Sequence, residues 1–249
     1  MRKSSKSGSS DHERGQWFIM IRAVATDVDG TITDDNSIID IAAIEAIRRL
    51  EGRGIRVILC SGNALCILKA LSRYIGCTGP TVAENGGVVE YRGKIKILGE
   101  RGLGRKAIDH LRSLYGDLIR EAWSNPHRYV DAAIMRTIDY DKVASEVNKF
   151  EGVKVIDSGF AYHILDKRVD KGVGLLEALR WAGLRREEVA GVGDSLTDAE
   201  LLRAAGTRCV VANADESIKK EADYVSKSAF GKGFAEIADA ILSGEIGSP

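Results

Sequence analysis

The sequence predicts an α/β fold: a parallel sheet covered by helices on both faces, interrupted by an inserted α+β module. Almost wholly apolar runs, at 21–26 and 55–60, alternate with segments whose apolar residues recur at helical spacing. Strands that are apolar on both faces are typical of parallel sheets between two layers of helices. The alternation breaks off in mid-chain and resumes later, so we predict a sheet domain from 19–85 and 165–249 with a module from 86–164 inserted.

The first part of the sheet domain is predicted to hold three strands and two helices. Ile41, Ile44, Ile47 and Leu50 share one helical face, and their helix ends near Gly52. The predicted order is a strand at 21–26, a helix at 41–50, a strand at 55–60, a helix at 64–75 and a strand at 81–83.

The inserted module mixes strands and helices. The runs 88–91 and 95–98 flank Arg92-Gly93-Lys94 and predict a hairpin, which we assign to this module. We then predict a helix at 105–121, a strand at 129–138, a helix at 141–150 and strands at 153–156 and 160–165. Such a mixture indicates an antiparallel sheet with helices.

The α/β alternation returns after the module. The predicted elements are helices at 172–181, 199–205, 216–221 and 234–242, and strands at 189–192, 208–212 and 224–226. The two ends of the chain would thus build one Rossmann-like sheet, with the middle inserted as a lid.

Composition disfavours some classes of partner. The 249 residues carry 36 Lys and Arg against 36 Asp and Glu, and this zero net charge gives no reason to expect nucleic acid. No apolar stretch is as long as a membrane span. The first 18 residues lack the apolar segment of a signal peptide and are expected to form a disordered tail. We expect a cytoplasmic protein; a homodimer and a true start at Met20 are left open.

Polar residues immediately follow several predicted strands. They are Asp27, Asp29 and Thr31 after the first strand, Ser61, Gly62 and Asn63 after the second, and Asp194 and Asp198 after the strand at 189–192. Lys171 opens the helix that follows the module. Because ligands of open parallel sheets bind beyond the carboxyl ends of the strands, we expect these groups on one rim.

Such a set of side chains suits phosphoryl transfer. Clustered carboxylates repel one another unless a cation neutralises them. Magnesium with oxygen ligands is the usual choice where phosphate is also bound. The cation and Lys171 would offset the charge of the phosphoryl oxygens, while the Ser61 hydroxyl and backbone N–H groups would donate to them. Gly30 and Gly62 would let the backbone come close.

At these residues the chain resembles the haloacid dehalogenase-like hydrolase superfamily. Its first motif, DxDG[TV][LIVT], is matched at 27–32, and its fourth, GDxxxD, at 193–198. Ser61 matches the Ser or Thr of the second motif, and Lys171 matches the Lys of the third. All four motifs occur in the family's order. The resemblance implies a Rossmann-like core with an inserted cap of the C2 type at 86–164.

The resemblance also implies roles. Asp27 would attack phosphorus and form an aspartyl-phosphate, and Asp29 would protonate the leaving alcohol and then activate water. The implied magnesium ligands are Asp27, Asp194, Asp198 and the backbone carbonyl of Asp29. The implied substrate-binding residues are Ser61, Gly62, Asn63, Thr31 and Lys171. Because the carbon–halogen branch lacks the second aspartate, Asp29 favours a phosphatase.

The implied substrate is a small phosphomonoester. The segments Ser61-Gly62-Asn63, Glu84-Asn85-Gly86-Gly87 and Asn213-Ala214-Asp215 resemble archaeal phosphoglycolate phosphatases, which favours 2-phosphoglycolate. A sugar-phosphate or broad-specificity phosphatase of the same superfamily is the alternative. From another class, a phospho-acceptor signalling domain also places an aspartate, acidic metal ligands and a lysine on a parallel sheet. It is much shorter, and it lacks both a lid and an acid two residues after the nucleophile.

Residues of the inserted module are candidates for binding the non-phosphate end of the substrate. Arg136, Tyr162 and His163 are candidates, and Arg136 or His127 would suit a carboxylate. For each, a structural place in the sheet is the stronger interpretation. Two further residues, Asn85 and Asn213, are equally consistent with turns and with the pocket.

Overall fold

The computed structural model describes residues 20–247. The tail predicted at 1–18 lies outside the described residues. In the described part, no helix has the length and apolarity needed to cross a membrane. The four cysteines are free, with Cys60 and Cys209 buried and Cys66 exposed. The cytoplasmic location and the homodimer stay predictions.

The described residues form two sheets. The strands are β1 Ala23–Thr26, β2 Arg56–Cys60, β3 Thr81–Ala83, β4 Val88–Tyr91, β5 Lys94–Ile97, β6 Ala132–Met135, β7 Val153–Asp157, β8 Ala161–Asp166, β9 Val189–Gly193, β10 Thr207–Val210 and β11 Tyr224–Val225. The larger sheet has the order β11-β10-β9-β1-β2-β3-β4-β5. All neighbours from β11 to β3 run parallel. The carboxyl ends of β9, β1 and β2 therefore meet at one rim.

Helices cover both faces of the larger sheet. The helices are α1 Ile41–Gly52, α2 Leu65–Ile75, α3 Leu103–Tyr115, α4 Tyr140–Val147, α5 Lys171–Ala182, α6 Ala199–Ala204, α7 Glu216–Lys219 and α8 Phe230–Ser243. Val24 packs in an apolar core with α1 and α8, whereas Ala23 and Ala25 pack in a second core with α5 and α6. Since every residue of β1 is buried, the predicted two-sided parallel sheet is confirmed.

The smaller sheet is antiparallel and has its own core. Its strand order is β6-β8-β7, and α3 and α4 pack against it. Ile108 of α3, Val143 of α4, and Ile134 and Ile164 of the sheet are buried together. The predicted α+β module with an antiparallel sheet is confirmed by this arrangement.

The hairpin β4–β5 belongs to the larger sheet, whereas the sequence pattern predicts it in the inserted module. Strand β4 pairs antiparallel with β3, bringing Val82 opposite Val89, and β5 extends this edge. Val88 and Val89 fill the two opposite cores of the larger sheet. A hairpin pattern fixes the pairing within the hairpin but does not determine the sheet it joins. The boundaries predicted for the two domains themselves stay a prediction.

At three elements the difference in length from the prediction has a clear physical reason. Helix α3 ends at Tyr115 because Gly116, at φ +58°, stops it. Strand β6 begins only at Ala132, since the backbone N–H groups of 129–131 donate to the Glu84 carboxylate. Helix α8 begins at Phe230, four residues before the predicted start, because Gly231 and Gly233 in its first turn weaken the helical pattern of the sequence.

We predict that Gly86→Ala destabilises the fold much more than Gly93→Ala. Both glycines have positive φ, +91° and +81°. A Cβ at Gly86 would lie 1.8 Å from the carbonyl oxygen of Asp170, but one at Gly93 would meet nothing within 4 Å. Gly93→Ala should lower the free energy of unfolding by about 1–2 kcal/mol through strain alone, and Gly86→Ala by at least about 2 kcal/mol more. Urea unfolding measures both, and equal losses would contradict the close approach of Gly86 to Asp170.

Candidate active site

The rim of the larger sheet brings two aspartates of distant segments side by side. Asp27 directly follows β1 and is 4% exposed. Its backbone N–H donates to the carbonyl of Val192 in β9 at 2.9 Å. Asp194 directly follows β9, so the pairing of β1 with β9 places it beside Asp27.

Lys171 lies between two carboxylates. Asp170 accepts a hydrogen bond from the backbone N–H of Val173 at 2.8 Å and so fixes the start of α5. From the first residue of that helix, the Lys171 Nζ donates to Asp27 Oδ1 and to Asp198 Oδ1, each at 2.6 Å. Burial alone would lower the pKa of Lys171, but the charges of Asp198 and Asp27 raise it above its ordinary value. Lys171 is therefore a fixed positive charge in the site.

Three carboxylates form a cluster that one cation could bridge. Asp27, Asp194 and Asp198 each offer an oxygen, and these oxygens lie within 4.8 Å of one another. Burial raises the pKa of Asp27 well above its ordinary value, and the charges of Asp198 and Asp194 add to this against the effect of Lys171. Burial, followed by the charge of Asp198, raises the pKa of Asp194 to about 6. The crowded negative charge and the all-oxygen donor set fit a hard divalent cation.

Glycines and backbone N–H groups hold the cluster in place. The Asp198 Oδ2 accepts from the backbone N–H groups of Asp194 and Ser195, both at 3.1 Å. A Cβ at Gly30, which has φ +86°, would lie 2.6 Å from Asp194 Oδ2. A Cβ at Gly193 would lie 2.6 Å from the Cβ of Asp198. The glycines of the GDxxxD and DxDG patterns are thus needed for close approach.

Asp29 lies apart from that cluster, among polar residues of the loop after β2. Its Oδ2 accepts from Asn63 Nδ2 at 2.9 Å and from Ser61 Oγ at 3.5 Å. The Ser61 Oγ in turn accepts from the backbone N–H of Asn63 at 3.1 Å. Burial raises the pKa of Asp29, although Lys171 and the hydrogen bonds from Asn63 and Ser61 act against it. Asp27 and Asp29, which both follow β1, therefore have different surroundings.

Thr31 and Gly62, two of the predicted phosphate-binding residues, form hydrogen bonds with other protein groups. The Thr31 hydroxyl donates to Asp194 Oδ1 at 2.6 Å, which ties it to the carboxylate cluster. The Gly62 carbonyl accepts from Arg128 Nη1 of the module at 2.8 Å. Their part in binding phosphate stays a prediction, as do the roles of Ser61, Asn63 and the aspartates.

Arg128 and Asp131 were missed by the sequence analysis. They lie in the segment before β6 and pair with each other, and Asp131 also contacts His163 of β8, which was a candidate. Asp131 stands next to an apolar run, which was the only signal of a buried charge. Arg136, by contrast, lies at the opposite end of β6, where it pairs with Asp157 at 3.2 Å and is about half-exposed. Tyr162 donates its hydroxyl to a carbonyl of the module.

The two asparagines left open have structural contacts. Asn213 donates to the carbonyl of Gly30 at 2.9 Å and accepts from the backbone N–H of Phe230 at 2.7 Å. It therefore ties the loop after β1 to α8. The Asn85 Nδ2 lies 3.3 Å from Asp131 Oδ2. His127 is exposed, and its role at the carboxylate end of a substrate stays a prediction.

Comparisons with known proteins agree with this geometry. A family model described as haloacid dehalogenase-like hydrolase matches residues 24–117 and 124–237. A phosphoglycolate phosphatase of Methanospirillum hungatei is 39% identical over 222 residues, covering 88% of this chain and 95% of that protein. One of Sulfolobus acidocaldarius is 38% identical over 229 residues, covering 91% and 99%. A crystal structure of a Thermoplasma acidophilum protein has a TM-score of 0.82 and 29% identity, covering 90% and 99%.

These matches span the strands that carry the carboxylates and most of the inserted module. The order of the four motifs, the sheet topology and the extent of the matches agree. The chain belongs to the haloacid dehalogenase-like hydrolases.

Proposed function

We propose that this chain is a magnesium-dependent phosphatase that hydrolyses 2-phosphoglycolate through an aspartyl-phosphate on Asp27. The observation that supports it best is the contact of one buried ammonium, Lys171 Nζ, with both Asp27 and Asp198 at 2.6 Å. The carboxylate at the strand end provides the nucleophile, and the charged lysine beside it attracts a phosphoryl dianion. The names of the archaeal relatives support the choice of substrate.

The carboxylate cluster would hold the cation. Asp27, Asp194 and Asp198 would supply side-chain oxygens, and the backbone carbonyl of Asp29 would supply a further ligand. A bound Mg²⁺ supplies positive charge that offsets the repulsion between these carboxylates and the substrate's phosphoryl oxygens. Thr31 orients Asp194 through its hydrogen bond.

In the first chemical step a carboxylate oxygen of Asp27 forms a bond to phosphorus, and the bond from phosphorus to the ester oxygen breaks. Asp29 gives its proton to the departing oxygen, so glycolate leaves with a neutral hydroxyl group and not as an alkoxide. Because burial raises the pKa of Asp29, this carboxyl more readily carries the proton it must donate. Ser61, Asn63 and the Gly62 backbone, together with Lys171, hold the phosphoryl oxygens.

In the second step Asp29, now a carboxylate, removes a proton from water as the water oxygen attacks phosphorus. The bond between phosphorus and Asp27 breaks, which releases inorganic phosphate and restores the Asp27 carboxylate. Asp29 therefore ends the cycle protonated, as it began. Placing the acid and the nucleophile on one strand end, two residues apart, lets a single loop serve both steps.

We predict that Asp27→Asn lowers kcat for 2-phosphoglycolate by at least about 10³-fold, because an amide cannot form the covalent intermediate. The thermal midpoint should change little, since the substitution also removes a buried charge whose repulsion with Asp194 and Asp198 is unfavourable. Asp239→Asn, on the exposed face of α8, is the matched control and should keep wild-type turnover. A folded Asp27→Asn protein that still releases phosphate at the wild-type rate would exclude Asp27 as the nucleophile.

We predict that EDTA stops phosphate release and that Mg²⁺ restores it, with an apparent affinity that falls at acidic pH. The pKa of Asp194 is raised to about 6, so below that pH a proton occupies a carboxylate that the cation needs. The Mg²⁺ concentration for half-maximal activity should rise about tenfold from pH 7.5 to pH 5. Titrations of Mg²⁺ against phosphate release at the two pH values measure this. Full activity in EDTA, or one Mg²⁺ requirement at both pH values, would contradict the metal site.

A further inference from the structure

A buried polar cluster lies where the smaller sheet meets the loop after β2. Its central group is Asp131 Oδ2, which accepts from His163 Nδ1 at 2.6 Å, from Arg128 Nη1 at 2.8 Å and from Asn85 Nδ2 at 3.3 Å. The side chains of Asp131, Arg128 and His163 are 0%, 4% and 7% exposed. Three donors on one buried carboxylate oxygen fix the positions of all four side chains.

The backbone that carries this cluster is held from the larger sheet. Glu84 is fully buried just after β3, and its carboxylate accepts the backbone N–H groups of Tyr129, Val130 and Asp131 at 2.9–3.2 Å. The Arg128 guanidinium also donates to Ser124 Oγ at 3.2 Å. Asp131 is thus anchored by its main chain as well as by its side chain.

The His163 ring faces the proposed phosphate-binding loop. A Cβ placed on Gly62 would lie 3.3 Å from His163 Cε1, a tight contact, so the ring packs closely against this glycine. Arg128 Nη1 donates to the carbonyl of the same glycine at 2.8 Å. Gly62 lies between Ser61 and Asn63, both bonded to Asp29, and the charge of His163 acts to lower the pKa of Asp29. The ring therefore borders the catalytic centre.

One nitrogen of this ring has no protein partner. Nδ1 is bonded to Asp131, and across residues 20–247 no protein group forms a hydrogen bond with Nε2. Among the side-chain N and O atoms of that range, only Asp131 Oδ1 is fully buried without a hydrogen-bond partner, so Nε2 keeps some exposure to solvent. Arg128 already pairs with Asp131, so that carboxylate would not cancel a positive charge on the His163 ring.

We propose that His163 Nε2 binds the carboxylate of the substrate and that Asp131 is the positioning residue that holds the ring for this contact. The inference rests on the proposed function and adds the residue that distinguishes 2-phosphoglycolate from phosphomonoesters without a carboxylate. Because the Asp131 carboxylate can only accept, Nδ1 carries a hydrogen, and an imidazolium donates from Nε2 as well. A charge-assisted hydrogen bond from the module to the substrate's far end would make binding selective.

The test compares wild type, His163→Gln and the control His110→Gln on 2-phosphoglycolate and on 4-nitrophenyl phosphate, which has no carboxylate. His110 lies in the same module and pairs with Glu146 at 2.8 Å, outside the cluster. His163→Gln should raise KM for 2-phosphoglycolate by at least about tenfold, the worth of a charge-assisted hydrogen bond. Its kcat/KM for 4-nitrophenyl phosphate should stay within about threefold of wild type. His110→Gln should leave both substrates unchanged.

The outcomes separate this inference from the proposed function. An active wild-type enzyme whose KM for 2-phosphoglycolate is unaltered in His163→Gln would overturn the role of His163. Equal losses on both substrates would overturn it too, because the residue would then act on the phosphate or on the fold. A wild-type enzyme that does not hydrolyse 2-phosphoglycolate would overturn the proposed function and this inference with it.

Asp131→Asn separates positioning from a structural role. The substitution keeps the size of the side chain but weakens its hold on the ring. Positioning predicts the substrate-selective rise in KM found for His163→Gln, with kcat for 4-nitrophenyl phosphate retained. A lower thermal midpoint with equal losses on both substrates would mean that Asp131 serves the fold only.

Discussion

The contact of the Lys171 ammonium with Asp27 and Asp198 is the interaction on which the site depends. Each distance is 2.6 Å, and all three side chains are nearly inaccessible to solvent. Removing Lys171 would leave two buried carboxylates without compensation, a change that typically costs about 3–5 kcal/mol. Here one positive charge faces two carboxylates, with Asp194 close by. The site is therefore short of positive charge, which explains why a divalent cation fits it.

The fold brings these charges together from three separate parts of the chain. Parallel pairing of β1 with β9 aligns Asp27 with the loop that carries Asp194 and Asp198, and α5 brings Lys171 in after the inserted module. The loops at the rim can approach one another only because some positions are glycine. The clearest case is Gly30, whose backbone lies close to the Asp194 carboxylate. The inserted module is joined to the same rim by buried polar contacts and not by apolar packing alone. Glu84 accepts from the backbone N–H groups of 129–131, Arg128 donates to the Gly62 carbonyl, and Asn85 donates to Asp131.

The rim could be predicted from sequence because its side chains directly follow apolar strands. To predict that Asp27 and Asp194 meet, it was enough to locate the strand ends and to know that parallel strands end at one edge of the sheet. Arg128 and Asp131 could not be predicted, since their burial depends on where the module docks on the loop after β2. The hairpin β4–β5 was assigned to the wrong sheet because local alternation carries no information about the neighbouring strand. The start of α8 at Phe230 depends on a tertiary hydrogen bond that its backbone N–H donates to Asn213 Oδ1.

The proposed mechanism makes Asp27 the nucleophile, beside a cation held by neighbouring carboxylates. A crystal structure of the full chain grown with Mg²⁺ and beryllium trifluoride, a mimic of a transferred phosphoryl group, tests it most directly. We expect the beryllium on a carboxylate oxygen of Asp27 and the cation in contact with Asp27 and Asp194. A beryllium adduct on another residue, or a cation bound away from these aspartates, would contradict it.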